Sequence, residues 1–164
     1  PKSQQTEGLR PLGRLAFIDH GNQIRAAIRE AIESVMDAQK DSVGTVPRLN
    51  SPPHVVLIQS ISGGTGSGSL TDIVHLTRSV LRELKLPANG LSAVLLHSTS
   101  PKPAQKEIAR ANAYASLLEL NHLLHPNASY PGEPLLHLEP LVSQGELLRD
   151  CYVVHLGDDL AQED

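Results

Sequence analysis

The chain has 164 residues, a formal net charge of −4 and four aromatic side chains, Phe17, Tyr114, Tyr130 and Tyr152. A chain of this length buries roughly 70% of the surface it exposes when unfolded, so one domain with an aliphatic core is expected. The acidic balance argues against a general nucleic-acid grip, the lone Cys151 excludes a disulfide framework and points to a reducing, cytoplasmic compartment, and no apolar run approaches the ~20 residues of a membrane span.

Residues 1–13, PKSQQTEGLRPLG, are polar, lack a signal-peptide pattern and read as a flexible arm, leaving 14–164 as the folded part. The start at Pro1 without methionine and the acidic end together read as a piece of something longer. Arg10, Arg14, Arg25 and Arg29 load the front with positive charge, while Asp158, Asp159, Glu163 and Asp164 load the end. Solvated faces are the plain reading, with an assembly surface as the alternative for Arg14, Arg25 and Arg29. From Ile24, apolar residues recur at Ala27, Ile28, Ala31, Ile32, Val35 and Met36, which predicts an amphipathic helix of about 20 residues. Asn22 is a suitable cap for it. Residues 40–53 are a loop broken by Pro47, Pro52 and Pro53.

His54–Ile61 reads as a strand. Val55–Ile58 do not alternate with polar residues, so both faces are expected to be covered. A glycine-rich loop follows, then a helix carrying Leu70, Ile73, Val74, Leu76, Val80, Leu81 and Leu84. Leu91–His97 is a second strand, 98–105 a loop, and Glu107–Leu124 an Ala-rich helix. Residues 125–150 are punctuated by proline, with a short strand at 135–139, and Cys151–Leu156 is a final strand. This alternation predicts an α/β fold in three layers around a mostly parallel sheet. In such sheets ligands bind beyond the carboxyl ends of the strands, which here carry the loops 62–69, 98–106 and 157–159.

The segment VVLIQSISGGTGSGSL (55–70) puts Gly63, Gly64, Gly66 and Gly68 within six positions. Strand, glycine loop and helix form a phosphate-binding layout, in which backbone N–H groups converge on an anion at the positive end of a helix. Thr65, Ser67 and Ser69 add hydroxyl donors. A tight turn without a ligand is the plain alternative, but a turn needs only one or two glycines. Spacing excludes several loops of this kind. There is no lysine for a Walker A motif, Ser69 stands where the third glycine of G-x-G-x-x-G belongs, and Thr65 stands where a nucleophile elbow needs glycine. The nearest enzyme competitor is the related GG-T-G-x-x-G turn of short-chain, NAD(P)-dependent oxidoreductases, a third reading disfavoured because none of Tyr114, Tyr130 and Tyr152 has the Lys of their Tyr-x-x-x-Lys pair.

The loop fits the glycine signature G-G-G-T-G-[ST]-G of the tubulin/FtsZ superfamily, with Ser62 in the first glycine's place. SGGTGSGSLTDIVHLTRSVLREL resembles the loop and helix of bacterial tubulin-like proteins, ARANAYASLLELNHLL (109–124) resembles a later helix, and CYVVHL (151–156) sits where that fold has its next strand. The resemblance spans about 54–156. It implies a nucleotide-binding domain that holds GTP, with or without magnesium, its phosphates on Ser62, Gly63, Gly64, Thr65, Gly66, Ser67 and Gly68, and head-to-tail self-association. Glu107 and Arg110 are weak candidates for the ribose, being out of register with the family's acidic residue and arginine. The family's guanine-reading Asn-Asp pair corresponds to Gly157 and Asp158, so Asp158 is a further weak base contact. The family's first glycine loop would precede Pro1, and its acidic catalytic loop would lie in later chain. No catalytic residue is therefore assigned, and these residues alone are expected to bind nucleotide weakly and hydrolyse little. A non-hydrolysing tubulin-like scaffold is the alternative.

Among the remaining residues, His122 and His125 stand three apart as a candidate metal pair, against surface histidines as the plain reading. No third ligand is near them in sequence, and no metal site is assigned. His97 ends a strand at the functional edge and could contact a ligand or merely pack. Asp72 complements the helix dipole, with a magnesium ligand as its alternative, and Cys151 is expected to be a buried, inert thiol.

Overall fold

The computed structural model describes residues 5–41, 52–87, 89–142 and 147–160. The loop expected at 40–53 lies mostly outside these residues, as do Glu163 and Asp164 of the acidic end. Two consecutive helices, α1 (Arg10–Asp19) and α2 (Gly21–Asp41), lead into β1 (Val55–Ser60), α3 (Gly64–Glu83), β2 (Leu91–Ser98) and α4 (Pro103–Leu124). A small hairpin, β3 (Ser129–Tyr130) and β4 (Leu141–Val142), precedes β5 (Cys151–Gly157).

The fold is mixed α/β. Strands β1, β2 and β5 form a parallel sheet in that order, with Val55 opposite Leu91 and Ala93 opposite Cys151. Both crossovers step across the sheet in one direction, so right-handed connections put α3 and α4 on the same face. Leu91, Ala93 and Leu95 of β2 are fully buried on the face where the Gln59 side chain donates to Gly66 O and to Ser69 Oγ at 3.2 Å. Helix α3 is the centre of the molecule. Leu70, Val74, Leu76, Val80 and Leu81 are all fully buried on it, each contributing about 1.5–3 kcal/mol of apolar burial. Helix α2 packs Ile24, Ile28, Ile32 and Met36 at a strict four-residue interval, a narrower stripe than its sequence periodicity suggests.

Several expectations need correction. Strand β1 is not covered on both faces: Val56 is 48% and Ile58 70% exposed, because among the described residues the helices pack on the opposite face of the sheet. The expected arm is divided. Arg10–Gly13 form the first turn of α1, with Pro11 in that turn, where a missing N–H costs nothing. The glycine run is not a separate loop either, since Gly64–Ser69 are the opening turns of α3. Helix α4 begins at Pro103 rather than Glu107. The strand expected at 135–139 is a 3-10 turn, Pro134–Leu136, closed by Glu133 Oε1 accepting from Leu135 N and a bridge between Glu133 and Leu138. Cys151 is exposed at the start of β5, and partial desolvation there raises its thiol pKa. Among the described residues, no helix is long and apolar enough to cross a membrane.

Candidate functional site at the amino end of α3

Gly63 is the N-cap of α3, with extended backbone at φ −89° and ψ 168°, and no side chain caps the helix. The first backbone bond of the helix is Ser67 N–H to Gly63 O at 3.3 Å. The N–H groups of Gly64, Thr65 and Gly66 have no acceptor among the described residues. They are the orphan donors of a helix start, at the end of the sheet where β1, β2 and β5 all finish. Three donors and the helix dipole together form an anion-attracting end. The Thr65 side chain is exposed there, and Thr6 Oγ1 approaches its hydroxyl at 3.4 Å.

The four glycines divide by role. A Cβ on Gly64 would lie 2.7 Å from the Leu9 backbone, and one on Gly68 2.1 Å from Arg10 O, while Gly13 of α1 faces Gly64 in return. These glycines let α1 press directly onto α3. A Cβ on Gly66 would meet Ser60 O at 1.9 Å, so Gly66 seats the helix on β1. Only Gly63 has open space around its missing side chain. Packing thus accounts for three of the four glycines, and Gly63 is the one left facing outward at the uncapped turn. The hydroxyls divide likewise. Ser67 Oγ donates to Gly63 O at 2.5 Å and Ser69 Oγ to Thr65 O at 2.8 Å. Both are buried within the helix, so only Thr65 keeps an outward hydroxyl.

Ser62 is held from three sides. Its Oγ accepts from Ser98 N–H at 2.9 Å and lies 2.9 Å from His97 Nδ1, and its carbonyl accepts from Asn112 Nδ2 at 3.0 Å. The same Asn112 amide donates to Gly8 O at 2.9 Å, tying residues 6–9 to the glycine turn. Ser116 Oγ reaches Ser67 O at 3.4 Å, and Glu119 holds Arg10, whose guanidinium also donates to Ser67 O at 3.0 Å. Asn112, Ser116 and Glu119 therefore form a polar stripe on α4 that fixes the turn. Their spacing of four and three residues in an otherwise Ala- and Leu-rich helix was the available sequence signal. Thr6 had no such signal, because its role comes from a contact 59 residues away.

Asp158 reaches the same sheet edge. Thr99 Oγ1 donates to Asp158 Oδ1 at 2.7 Å, and Asp159 N–H donates to Thr99 Oγ1 at 3.2 Å. The Thr99 bond lowers the Asp158 pKa, with help from His155, Lys106 and Arg110. Glu107 and Arg110 pair with each other at 3.3 Å on the exposed surface of α4, outside the network around Ser62.

Asp72 is not available to a metal. It is fully buried, accepts from Arg14 Nε at 2.7 Å and from Tyr130 OH at 2.7 Å. Burial first, and then this bond, raises the Tyr130 pKa, and the Asp72 hydrogen bond raises that of Arg14. The arginines read as solvated or partner-facing are internal clamps: Arg14 also reaches Glu133 at 3.2 Å, Arg25 pairs with Glu83 at 2.6 Å, and Arg29 pairs with Glu83 as well. His122 and His125 are exposed, and no group of three metal-ligating side chains occurs among the described residues. A groove of about 730 Å³ runs between α1, α3 and α4, but its charged lining is already engaged in the Arg10–Glu119 and Arg14–Asp72 pairs.

A protein-family model described as tubulin like matches residues 2–147. No curated protein and no solved structure is similar enough to the chain to count as a match.

Proposed function

Because the chain belongs to the tubulin-like family, we propose that it binds GTP with the phosphates at the amino end of α3, as part of a self-associating protein. The observation that carries this reading is the uncapped turn: three N–H groups, on Gly64, Thr65 and Gly66, lack acceptors among the described residues at the carboxyl edge of a parallel sheet. Phosphate oxygens are the acceptors that such a turn suits. Gly63 leaves space for their approach, and the Thr65 and Thr6 hydroxyls add neutral donors beside it. Ser62 shapes the entry to the turn, while Ser67, Gly66 and Gly68 support it from behind through packing. Asp158 is the candidate for a base contact. Glu107 and Arg110 enter only if their mutual pair opens toward the ribose. Magnesium, if used, is held by the phosphates and water, since Asp72 is committed to Arg14 and Tyr130.

Titration of the full-length protein with GTP, ATP and NAD, followed by light scattering, tests this reading. GTP binding with growth of scattering supports it, NAD binding favours the oxidoreductase class, and GTP binding without assembly favours the scaffold alternative. The site itself is tested by Gly63→Asp. The new Cβ meets nothing within 4 Å, and an N-cap carboxylate is expected to cap the α3 amides in the phosphates' place. GTP affinity is expected to fall by roughly tenfold or more, while the melting temperature holds or rises. Unchanged affinity would remove the site from this turn.

A further inference from the structure

The Ser62 hydroxyl sits in an arrangement with two settings. A hydroxyl has one proton and two lone pairs. One lone pair of Ser62 Oγ is taken by Ser98 N–H, which can only donate. The remaining 2.9 Å contact is to His97 Nδ1. With a neutral ring protonated at Nε2, Nδ1 is an acceptor and the Ser62 proton points to it. With a protonated ring, Nδ1–H donates to the second lone pair of Ser62, and the hydroxyl proton must turn elsewhere. The rest of Ser62 cannot follow, because its carbonyl is pinned by Asn112 and its oxygen by the β2 backbone. The next residue is Gly63, the N-cap of α3.

We infer that His97 is a positioning residue for the phosphate-binding turn, which on protonation frees the Ser62 O–H, adds positive charge at the turn, and so tightens anion binding as pH falls. This rests on the phosphate site described above. The charged and titratable groups facing His97 come from β5, the segment after it, and α4. The His155 ring is 5.4 Å away between centroids, and Asp158 and Arg110 act on His97 electrostatically. Burial keeps the His97 pKa below the ordinary imidazole range, with His155 and Arg110 adding to the effect and Asp158 opposing it. The ring is therefore neutral near pH 7, and the tighter state grows in only as pH falls below the ordinary imidazole range. By linkage, an anion that binds more tightly to the protonated form raises the affinity of His97 for its proton, so binding takes up protons.

The test is calorimetric titration of the full-length protein with GTP between about pH 8 and about pH 5.5, in buffers of different ionisation enthalpy. Comparing variants with the wild type removes the nucleotide's own protonation. The wild type is expected to gain on the order of fivefold in affinity over that range, as one added charge near the phosphates would give. His97→Leu is expected to bind weakly throughout. His97→Asn, which places an amide near the Nδ1 position but cannot titrate, is expected to recover the affinity at pH 8 and not the acid gain or the proton uptake. Ser62→Gly should lose part of the gain while leaving the charge. If wild type and His97→Asn follow the same pH curve, the inference about His97 falls and the site stands. If the wild type binds no GTP at any pH, the site reading fails and takes this inference with it.

Discussion

Asp72 lies fully buried on α3 with its two oxygens divided between Arg14 and Tyr130. Removing one partner of a buried charge costs more than the pair itself contributes. Asp72→Ala strands the Tyr130 hydroxyl and frees Arg14, so a loss of about 3 kcal/mol is expected in urea unfolding. Arg14→Ala costs more than Tyr130→Phe, because the buried carboxylate then loses its counter-charge rather than one neutral hydrogen-bond donor. One turn along α3, His75 stacks on the Tyr130 ring at 3.9 Å between centroids and buries Nε2 with no hydrogen-bond partner among the described residues. Burial, with Arg78 next, lowers its pKa from 6.5 to about 4. The unfolded chain therefore binds a proton between these values and the folded chain does not. Stability is full above the unfolded pKa and is lost as pH falls from 6.5 toward 4, by about 3 kcal/mol at most. His75→Phe should remove this slope from a series of denaturation curves over that range. A slope that persists would place the acid sensitivity elsewhere.

At the scale of elements, α1 and α3 meet through glycine. Gly68→Ala places a methyl 2.1 Å from Arg10 O, which only a shift of α1 can relieve, and a cost of about 1–3 kcal/mol is expected. Gly63→Ala meets nothing within 4 Å and should cost less, about 0.5 kcal/mol, the penalty of alanine against glycine at an N-cap. Equal effects at the two positions would contradict this division of roles. The pair also explains what was legible in the sequence. Apolar, β-branched runs marked β1, β2 and β5 to within a residue or two, although only β2 is largely buried while β1 is covered on one face and β5 is exposed. The start of α3 was invisible, since Gly, Thr and Ser have weak helix propensity and the turns they form are fixed by α1 and β1. Helix α1 was hidden for the matching reason: Pro11 and Gly13 look like breakers until Gly13 is seen under Gly64. Within the candidate site, the glycine motif marked the segment that becomes the uncapped start of α3, but the residues that hold it could not be read beside it. Asn112 acts on Ser62 from 50 positions away and His97 from 35, distances that only the completed sheet closes.

For the molecule as a whole, the decisive asymmetry is the sheet. One face carries α3 and α4 over β1 and β2, β5 is exposed on both faces, and the other face presents a cross-strand row of Ile58, Val94 and Tyr152 beside Leu96 and Val154. Ile58 and Tyr152 are 70% and 58% exposed. The buried face supplies the core, so polar substitution of the open face should leave folding nearly intact. This separates two meanings of an apolar strand: Leu95 and Ala93 hold the domain together, whereas Ile58 and Tyr152 confer surface hydrophobicity on it. Contiguous apolar surface of this kind binds hydrophobic dyes and promotes association. The 164-residue chain should therefore enhance the emission of a naphthalene-sulfonate dye at neutral pH while still unfolding cooperatively. Ile58→Thr with Tyr152→Thr keeps β-forming residues in both strands and is expected to remove most of that emission, with stability changed by about 1 kcal/mol or less. Leu95→Ala is the contrast. It sits on the covered face and should cost about 2–5 kcal/mol without reducing the dye signal. If the double variant unfolds like Leu95→Ala, the open face is part of the core and the one-sided layering is wrong.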